Sequence, residues 1–292
     1  MEKVLKRATK LHEYGKMKTK RLYEYGEVKW YQQANPYILT GYLRDQTTCE
    51  CLFNFSRQSN QLVNIWTHVI ATIYVIIEMA DDIIYEVPLR GGDDLDRVAF
   101  AAFYLFFVIC MMSSVAHHSF NSHQREKVAV KCFTADWSSC CLIGCFCYAL
   151  NAFCLFRRQP FWLVLYMSGY AVGGFFLTRF NMTSSSTEDV TLRLKLTFLL
   201  VILSTLPLVH CLCLADTELS QLITNSYANN LLWQVFSLVV YVAHFPERIW
   251  PVRFDFCGNS HNLWHVLCVV SLLQWKYSAL EFLSYNNKFY GA

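Results

Sequence analysis

Charge is the scarce ingredient of this chain. Asp, Glu, Lys and Arg make up 16% of its 292 residues, against ~25% in soluble globular domains. The shortage is uneven: charge crowds into the first 60 or so residues and into short segments between long apolar runs. A single soluble core cannot bury several uncharged runs of about 20 residues, whereas a bilayer can, because ~20 helical residues span its ~30 Å hydrocarbon interior. Helices are the expected element, since each then satisfies its own backbone polar groups. Also missing is any continuous apolar stretch at the basic start, MEKVLKRATKLHEYGKMKTKR, so the first membrane helix is expected to act as its own insertion signal. No C-x-x-C framework occurs among the 13 cysteines. Most lie inside apolar runs, such as Cys140, Cys141, Cys145 and Cys147, and read as small reduced hydrophobes. Cys49 and Cys51, near the membrane entry, are the ones placed for acylation. No repeat or low-complexity tract is visible, and no nucleic-acid partner is expected. The bilayer is the expected partner.

What is present is a series of seven apolar runs, which predicts an all-α, seven-helix transmembrane bundle. The expected spans are Val63–Met79, extending toward Tyr85; Val98–His118; Asp136–Phe156; Phe161–Thr178; Leu196–Ala215, with a kink at Pro207; Asn229–Phe245; and Ser260–Phe282. Gly169, Gly173 and Gly174 in the fourth run would permit close helix packing. The chain accordingly divides into a basic arm and interfacial segment (1–62), a seven-helix domain (63–285) and a short tail (286–292). With the N-terminus in the cytosol, nineteen of the 25 Lys and Arg residues fall on the inner side and six on the outer. This bias favours N-in, C-out. Without the arm the count is eight against six, so the arm carries much of that argument. Two glycosylation sequons begin at Asn54 and Asn181. Both face the cytosol in this topology and are expected to stay unmodified.

Ionisable groups at membrane depth are expensive and mark functional sites by default. The second run ends in Ser114-Val-Ala-His117-His118, the third begins at Asp136, and the seventh begins Ser260-His261-Asn-Leu-Trp-His265. The topology puts all three at the cytosolic ends of their helices. His261 and His265 are i and i+4, one turn apart on one face, so both imidazoles can reach one tetrahedral zinc. A third histidine from another helix leaves the fourth position for water, the pattern of an open rather than a closed structural site. By spacing alone the third ligand is His118 or His117. Ser114 shares the face of His118, and Asp136 could hold a water or accept its proton. A His-x-x-x-His pair in an arbitrary helix is more often coincidence, and Asn262 stands where a zincin motif needs Glu. His68, His210 and His244 read as interhelical or interfacial hydrogen-bonders, and His12 and His123 as solvent-facing. Trp66, Trp137, Trp250 and Trp264 suit an aromatic belt. Glu78 is expected to reach water near the outer end of the first span.

Three motifs extend this reading. Asn64-Ile65-Trp66-Thr67-His68, with Asn35-Pro36-Tyr37-Ile38 and Gly41-Tyr42 before it, Ser114-x-x-x-His118 followed by His123 and Asp136, and Pro246-Glu247-Arg248, Phe254-Asp255, Gly258, Ser260-His261 and Trp264-His265 resemble the progestin and adipoQ receptor family across residues 21–285. The resemblance implies an intramembrane Zn2+ on His118, His261 and His265, with Ser114 and Asp136 in supporting roles as the candidate catalytic residues. It favours His118 over His117. Arg21-Leu22-Tyr23-x-Tyr25, Met111-x-x-Ser114-Val115 and the 18-residue interval from His118 to Asp136 are similar to the Golgi-resident, Raf-kinase-trapping branch. That implies a Golgi membrane, with the plasma membrane as alternative, and a cytosolic arm open to a kinase. The chain departs from the family pattern at Gln61 (commonly Glu), at Trp137-Ser138-Ser139-Cys140 (commonly Tyr-x-Gly-Ile) and at His117 (commonly Phe or Tyr). Two functions compete: a receptor or signalling scaffold for a lipid or hormone ligand, and a zinc-dependent, ceramidase-like lipid amide hydrolase. Lys16–Arg21 could also bind anionic lipids. A channel or pump is disfavoured, because the spans show no chain of acids to line a path.

Overall fold

The apolar runs form helices, as their composition dictates. The computed structural model describes residues 21–183 and 190–290, leaving His12 and residues Lys16 to Lys20 outside the described residues. After a short helix α1 (Thr48–Leu52) come α2 (Leu62–Leu89), α3 (Asp94–Phe120), α4 (Glu126–Phe156), α5 (Pro160–Thr183), α6 (Val190–Ser204), α7 (Leu206–Leu214), α8 (Thr217–Val242) and α9 (Ser260–Tyr290). No strand occurs among the described residues, only two isolated bridges, Tyr23 to Tyr42 and Gln46 to His123. Five helices, α2, α3, α4, α5 and α9, are long and apolar enough to cross a membrane. The 27 residues of α3 extend ~40 Å at 1.5 Å each, more than the hydrocarbon thickness.

Local chemistry sets the helix boundaries. Asp93 and Asp96 form a reciprocal capping box that starts α3. The Asp216 carboxylate accepts from Leu219 N at the head of α8 (2.8 Å). The fifth expected span is two helices. α6 stops at Ser204 and α7 resumes at Leu206, where Pro207, lacking an N–H, is tolerated in a first turn but not in a helix interior. The sixth expected span is the second half of a longer helix, because α8 begins in the polar stretch from Thr217. Residues 82–86 of α2 widen into a π-helical turn.

α4 is the hub. It packs on α3, α5 and α9, and 72% of its most apolar stretch is buried, against 17% for α5. Phe100, Phe103 and Phe107 of α3, Tyr148 and Phe156 of α4, and Trp275 of α9 fill the interior. Asn151 donates to Trp275 O (3.0 Å), a polar tie between α4 and α9. Ile70, Ile77, Leu105, Phe161 and Phe175 face outward, as lipid-facing positions must. A Cβ placed at Gly174 would stand 3.7 Å from Leu142 and 3.8 Å from Cys145 of α4, whereas nothing lies within 4 Å of one placed at Gly169.

Residues 21–61 fold over one end of the bundle. Lys29 donates to Gln124 O and Tyr31 to His123 O (both 2.9 Å). Buried Asp255 accepts from Leu39 N (3.2 Å), Thr40 N (2.8 Å) and the Thr40 hydroxyl (2.7 Å). Gly41 sits at φ +87°, with the Phe256 ring 3.0 Å from where a Cβ would stand, so glycine is required there. Asn54, the first sequon, is buried and donates to Gln46 Oε1 (2.8 Å) and Ser119 O (2.7 Å). Asn181 is buried as well.

Candidate metal centre

The site is built at the end of the bundle that residues 21–61 cover. The head of α9 is fixed first. Glu247, fully buried, accepts from Ser260 N (2.8 Å), from the Ser260 hydroxyl and from Asn35 Nδ2 (2.8 Å). A carboxylate there complements the positive end of the helix. Asn259 Oδ1 accepts from Asn262 N (3.0 Å), and Asn262 Nδ2 donates to Asn64 Oδ1 on α2 (2.6 Å). With α9 held in this way, His261 and His265 project from its first turns toward His118 near the end of α3.

His261 Nε2 lies 3.2 Å from His118 Nε2 and 3.2 Å from His265 Nε2. His118 and His265 are buried and His261 is half-buried. Two nitrogens bound to one tetrahedral zinc at ~2.0–2.1 Å stand ~3.3–3.4 Å apart, so the spacing fits a shared ion. The rings are also in the ligating tautomer. His118 Nδ1 is 2.7 Å from Gln61 Oε1, which can only accept, so the ring proton is on Nδ1. His265 Nδ1 is 3.0 Å from Thr67 Oγ1, whose own proton goes to Asn64 O (2.9 Å). Both Nε2 lone pairs therefore point inward, as in metal sites whose outer partners orient the ligands. The donor set, three neutral imidazoles, suits a divalent transition metal.

Ser114 is buried one turn before His118. Asp136, ten residues into α4, comes together with His117 and His118, their ligand atoms all within 4.8 Å of one another; the same limit holds for His118, His261 and His265. A cavity of about 120 Å³ adjoins the histidines, walled by Asn35, Tyr42, Asn64, His117, His261 and Tyr241 among others. Gln61 and Thr67, present in the sequence reading only as a departure from the family pattern and as part of the first motif, hold ring nitrogens of the site. His68, read as a hydrogen-bonder, instead stacks on His265 with ring centroids 3.8 Å apart and planes 9° from parallel. His123, read as solvent-facing, is buried between Thr48 Oγ1 (3.1 Å from Nε2) and Arg125 N (3.0 Å from Nδ1). His210 does bridge helices, with Nδ1 2.7 Å from the Tyr166 hydroxyl.

A second polar cluster lies about three turns further along α2 and α9. Lys276, counted above among the outer residues, is only 1% exposed. It donates to Glu78 (2.9 Å) and Asp82 (3.3 Å), and the Tyr104 hydroxyl donates to Asp82 (2.5 Å). Glu78 thus pairs with a lysine rather than reaching for water.

Membrane-length helices, outward apolar faces and a buried nitrogen cluster at one end define a multi-pass integral membrane protein with a centre able to hold a metal. The Haemolysin-III related family matches residues 56–275, and the chain belongs to that family, which includes the progestin and adipoQ receptors. It is 24% identical over 272 residues to progestin and adipoQ receptor family member 3 of Mus musculus, covering 91% of this chain and 88% of that one. It is 27% identical over 281 residues to heptahelical transmembrane protein 1 of Arabidopsis thaliana, covering 93% and 84%. With membrane progestin receptor delta of Homo sapiens it shares 25% over 256 residues, covering 80% and 71%.

Proposed function

We propose that this protein is a receptor-type signalling protein whose three-histidine centre holds Zn2+ and couples a small polar or lipid ligand to the cytosolic side of a seven-crossing bundle. The observation that carries the reading is the approach of the His118 and His265 Nε2 atoms to His261 Nε2, each at 3.2 Å, with the His118 and His265 tautomers set for ligation by Gln61 and Thr67. The crossings beyond five are α6 with α7 taken together, and α8. The 26 residues of α8 suffice in length, and its outward Leu232, Val235, Val239 and Val242 suit lipid. The names of the relatives, a receptor family member and a heptahelical protein, support both parts. The bias of Lys and Arg supports residues 1–62 on the cytosolic side, the body 63–285 in the membrane and 286–292 beyond it. The resemblance to the Golgi-resident branch supports a Golgi membrane rather than the plasma membrane, and an N-terminal arm that engages Raf kinase and restrains the MAP kinase cascade. Metal analysis of the purified protein tests the centre: one zinc per chain in wild type, lost in His118→Ala and held more weakly in His265→Ala. Deleting residues 1–20 tests the arm without removing the contacts that 21–61 make. Unchanged kinase recruitment would remove the scaffold role.

A second reading is favoured by one observation, the placement of Asp136 and Ser114 beside His118. It is a ceramidase-like lipid amide hydrolase. A zinc ion, when bound, supplies Lewis acidity to an amide carbonyl. Asp136 would take and return a proton at its carboxylate, and Ser114 would orient the reacting group through its hydroxyl. The covering segment would limit bulk water. A cavity of about 120 Å³ is well below the ~300–1,000 Å³ of drug-sized ligand sites, so only a headgroup would enter. Asp136→Asn separates the readings: zinc retained with lipid turnover abolished supports the hydrolase, whereas unchanged ceramide with intact signalling removes it.

A further inference from the structure

We propose that His117, His118 and Asp136 form a second seat for a divalent transition-metal cation, an alternative to the three-histidine seat. The proposal rests on the reading that His118, His261 and His265 hold a metal. Consecutive positions on a helix diverge by ~100°. His118 therefore faces α9 while His117 faces α4, where its ring meets Phe133 (centroids 5.3 Å apart) and comes within reach of Asp136. The ligand atoms of His117, His118 and Asp136 all lie within 4.8 Å of one another, a limit that the three-histidine group also meets.

Both unusual members of this triad lack ordinary partners. His117 Nδ1 is buried without a hydrogen bond, a costly state that needs a reason. The one hydrogen bond to the Asp136 carboxylate among the described residues comes from the Cys140 thiol at 3.9 Å. A cation supplies the missing partner to both at once. His118 belongs to both triads, but its Nδ1 is committed to Gln61. It therefore has one nitrogen to give and serves one ion at a time. The two seats are alternatives for a single ion, not a dinuclear centre.

The seats also differ in chemistry. Three neutral imidazoles leave a divalent ion its full charge, whereas two imidazoles and a carboxylate offset part of it, which suits an ion arriving with waters attached. His117, His118 and His261 line the cavity, while His265 and Asp136 do not, so each seat has two of its three ligands on the cavity wall. The ion passes between the two seats by exchanging two ligands while keeping His118.

The test is cobalt binding to the full-length protein in detergent, read as stoichiometry and as the visible absorption spectrum. Wild type is expected to bind one Co2+. His265→Ala should still bind one, about 10–100-fold more weakly and with an altered spectrum. Adding His117→Phe, or the isosteric Asp136→Asn, to His265→Ala should abolish that residual binding. His117→Phe alone should keep the wild-type spectrum and slow both uptake and release to a chelator. A residual site in His265→Ala that ignores both second substitutions overturns the proposal, as does complete loss of cobalt in His265→Ala with the protein still monodisperse. Absence of cobalt from wild type would instead sink the three-histidine reading, and this inference with it.

Discussion

Thr67 and Gln61 lie one bond away from the centre of the histidine cluster, yet they decide which nitrogen of each ring faces it. Thr67→Val keeps the shape of the side chain and removes the acceptor for His265 Nδ1–H. The ring is then free to place its proton on Nε2, and metal affinity should fall ~10–100-fold with the fold intact; competition against a chromophoric chelator measures this. Gln61→Leu should do the same through His118. Affinity unchanged in both would mean that the tautomers are set elsewhere. The cluster of His118, His261 and His265 was legible in the sequence, because i, i+4 spacing and motif resemblance need no knowledge of packing. Gln61 and Thr67 were not. Nothing in a glutamine at the head of an apolar run, or a threonine one turn on, reveals that helices α3 and α9 present imidazoles to them. His117 was legible as an alternative to His118 by spacing and as a departure from the family pattern.

Among elements, α2 and α9 have the most consequential contact. Lys276 and Asp82 are buried and Glu78 is half-buried beside them, so Lys276→Met leaves two carboxylates without their cation. Removing one partner of a buried ion pair costs ~3–5 kcal/mol, and Lys276→Met should lower the thermal midpoint in detergent sharply. Replacing all three with apolar side chains of similar volume should recover much of that loss. This cluster escaped sequence reading because its members are nearly 200 residues apart and each reads singly as an end-of-span charge. The helices themselves were easier. α2 to α5 and α9 follow the apolar runs to within several residues, apart from α4, which begins ten residues earlier than expected because its first turns are amphipathic. The break before Pro207 was legible from the chemistry of proline. That α4 lies at the centre was not, since a helix apolar on every side gives no sign of which faces meet protein and which meet lipid.

At the scale of the whole molecule, the covering segment 21–61 responds to pH at its edge. Hydrogen bonding to Lys29, then to Arg44, holds the Asp45 carboxyl below its usual range. A carboxylate depressed in the folded state stabilises that state above the unfolded value of ~3.9, and the contribution disappears as pH falls through the lower folded value. The groups are partly exposed, so the effect is ~0.2–1 kcal/mol. Hydrogen exchange should show the Lys29 to Gln124 junction loosening below about pH 4 while the helices stay protected, and Asp45→Asn should show the same loosening at neutral pH. Glycosidase treatment should leave the mobility of the protein unchanged, because the amides of Asn54 and Asn181 are enclosed by the fold. A shift traced to Asn54 would reverse the proposed orientation.

The histidine cluster and the Lys276 cluster sit about three turns apart along the same two helices. In the first Thr67 meets His265 and Asn64 meets Asn262; in the second Glu78 and Asp82 meet Lys276. A one-residue slip of α9 along α2, only ~1.5 Å, would break the polar ties of both together. The pair is riveted like a two-pinned strut, and the travel demanded by any transmitted signal falls to the helices that carry no such pins against α2, chiefly α8 and the broken rod of α6 and α7.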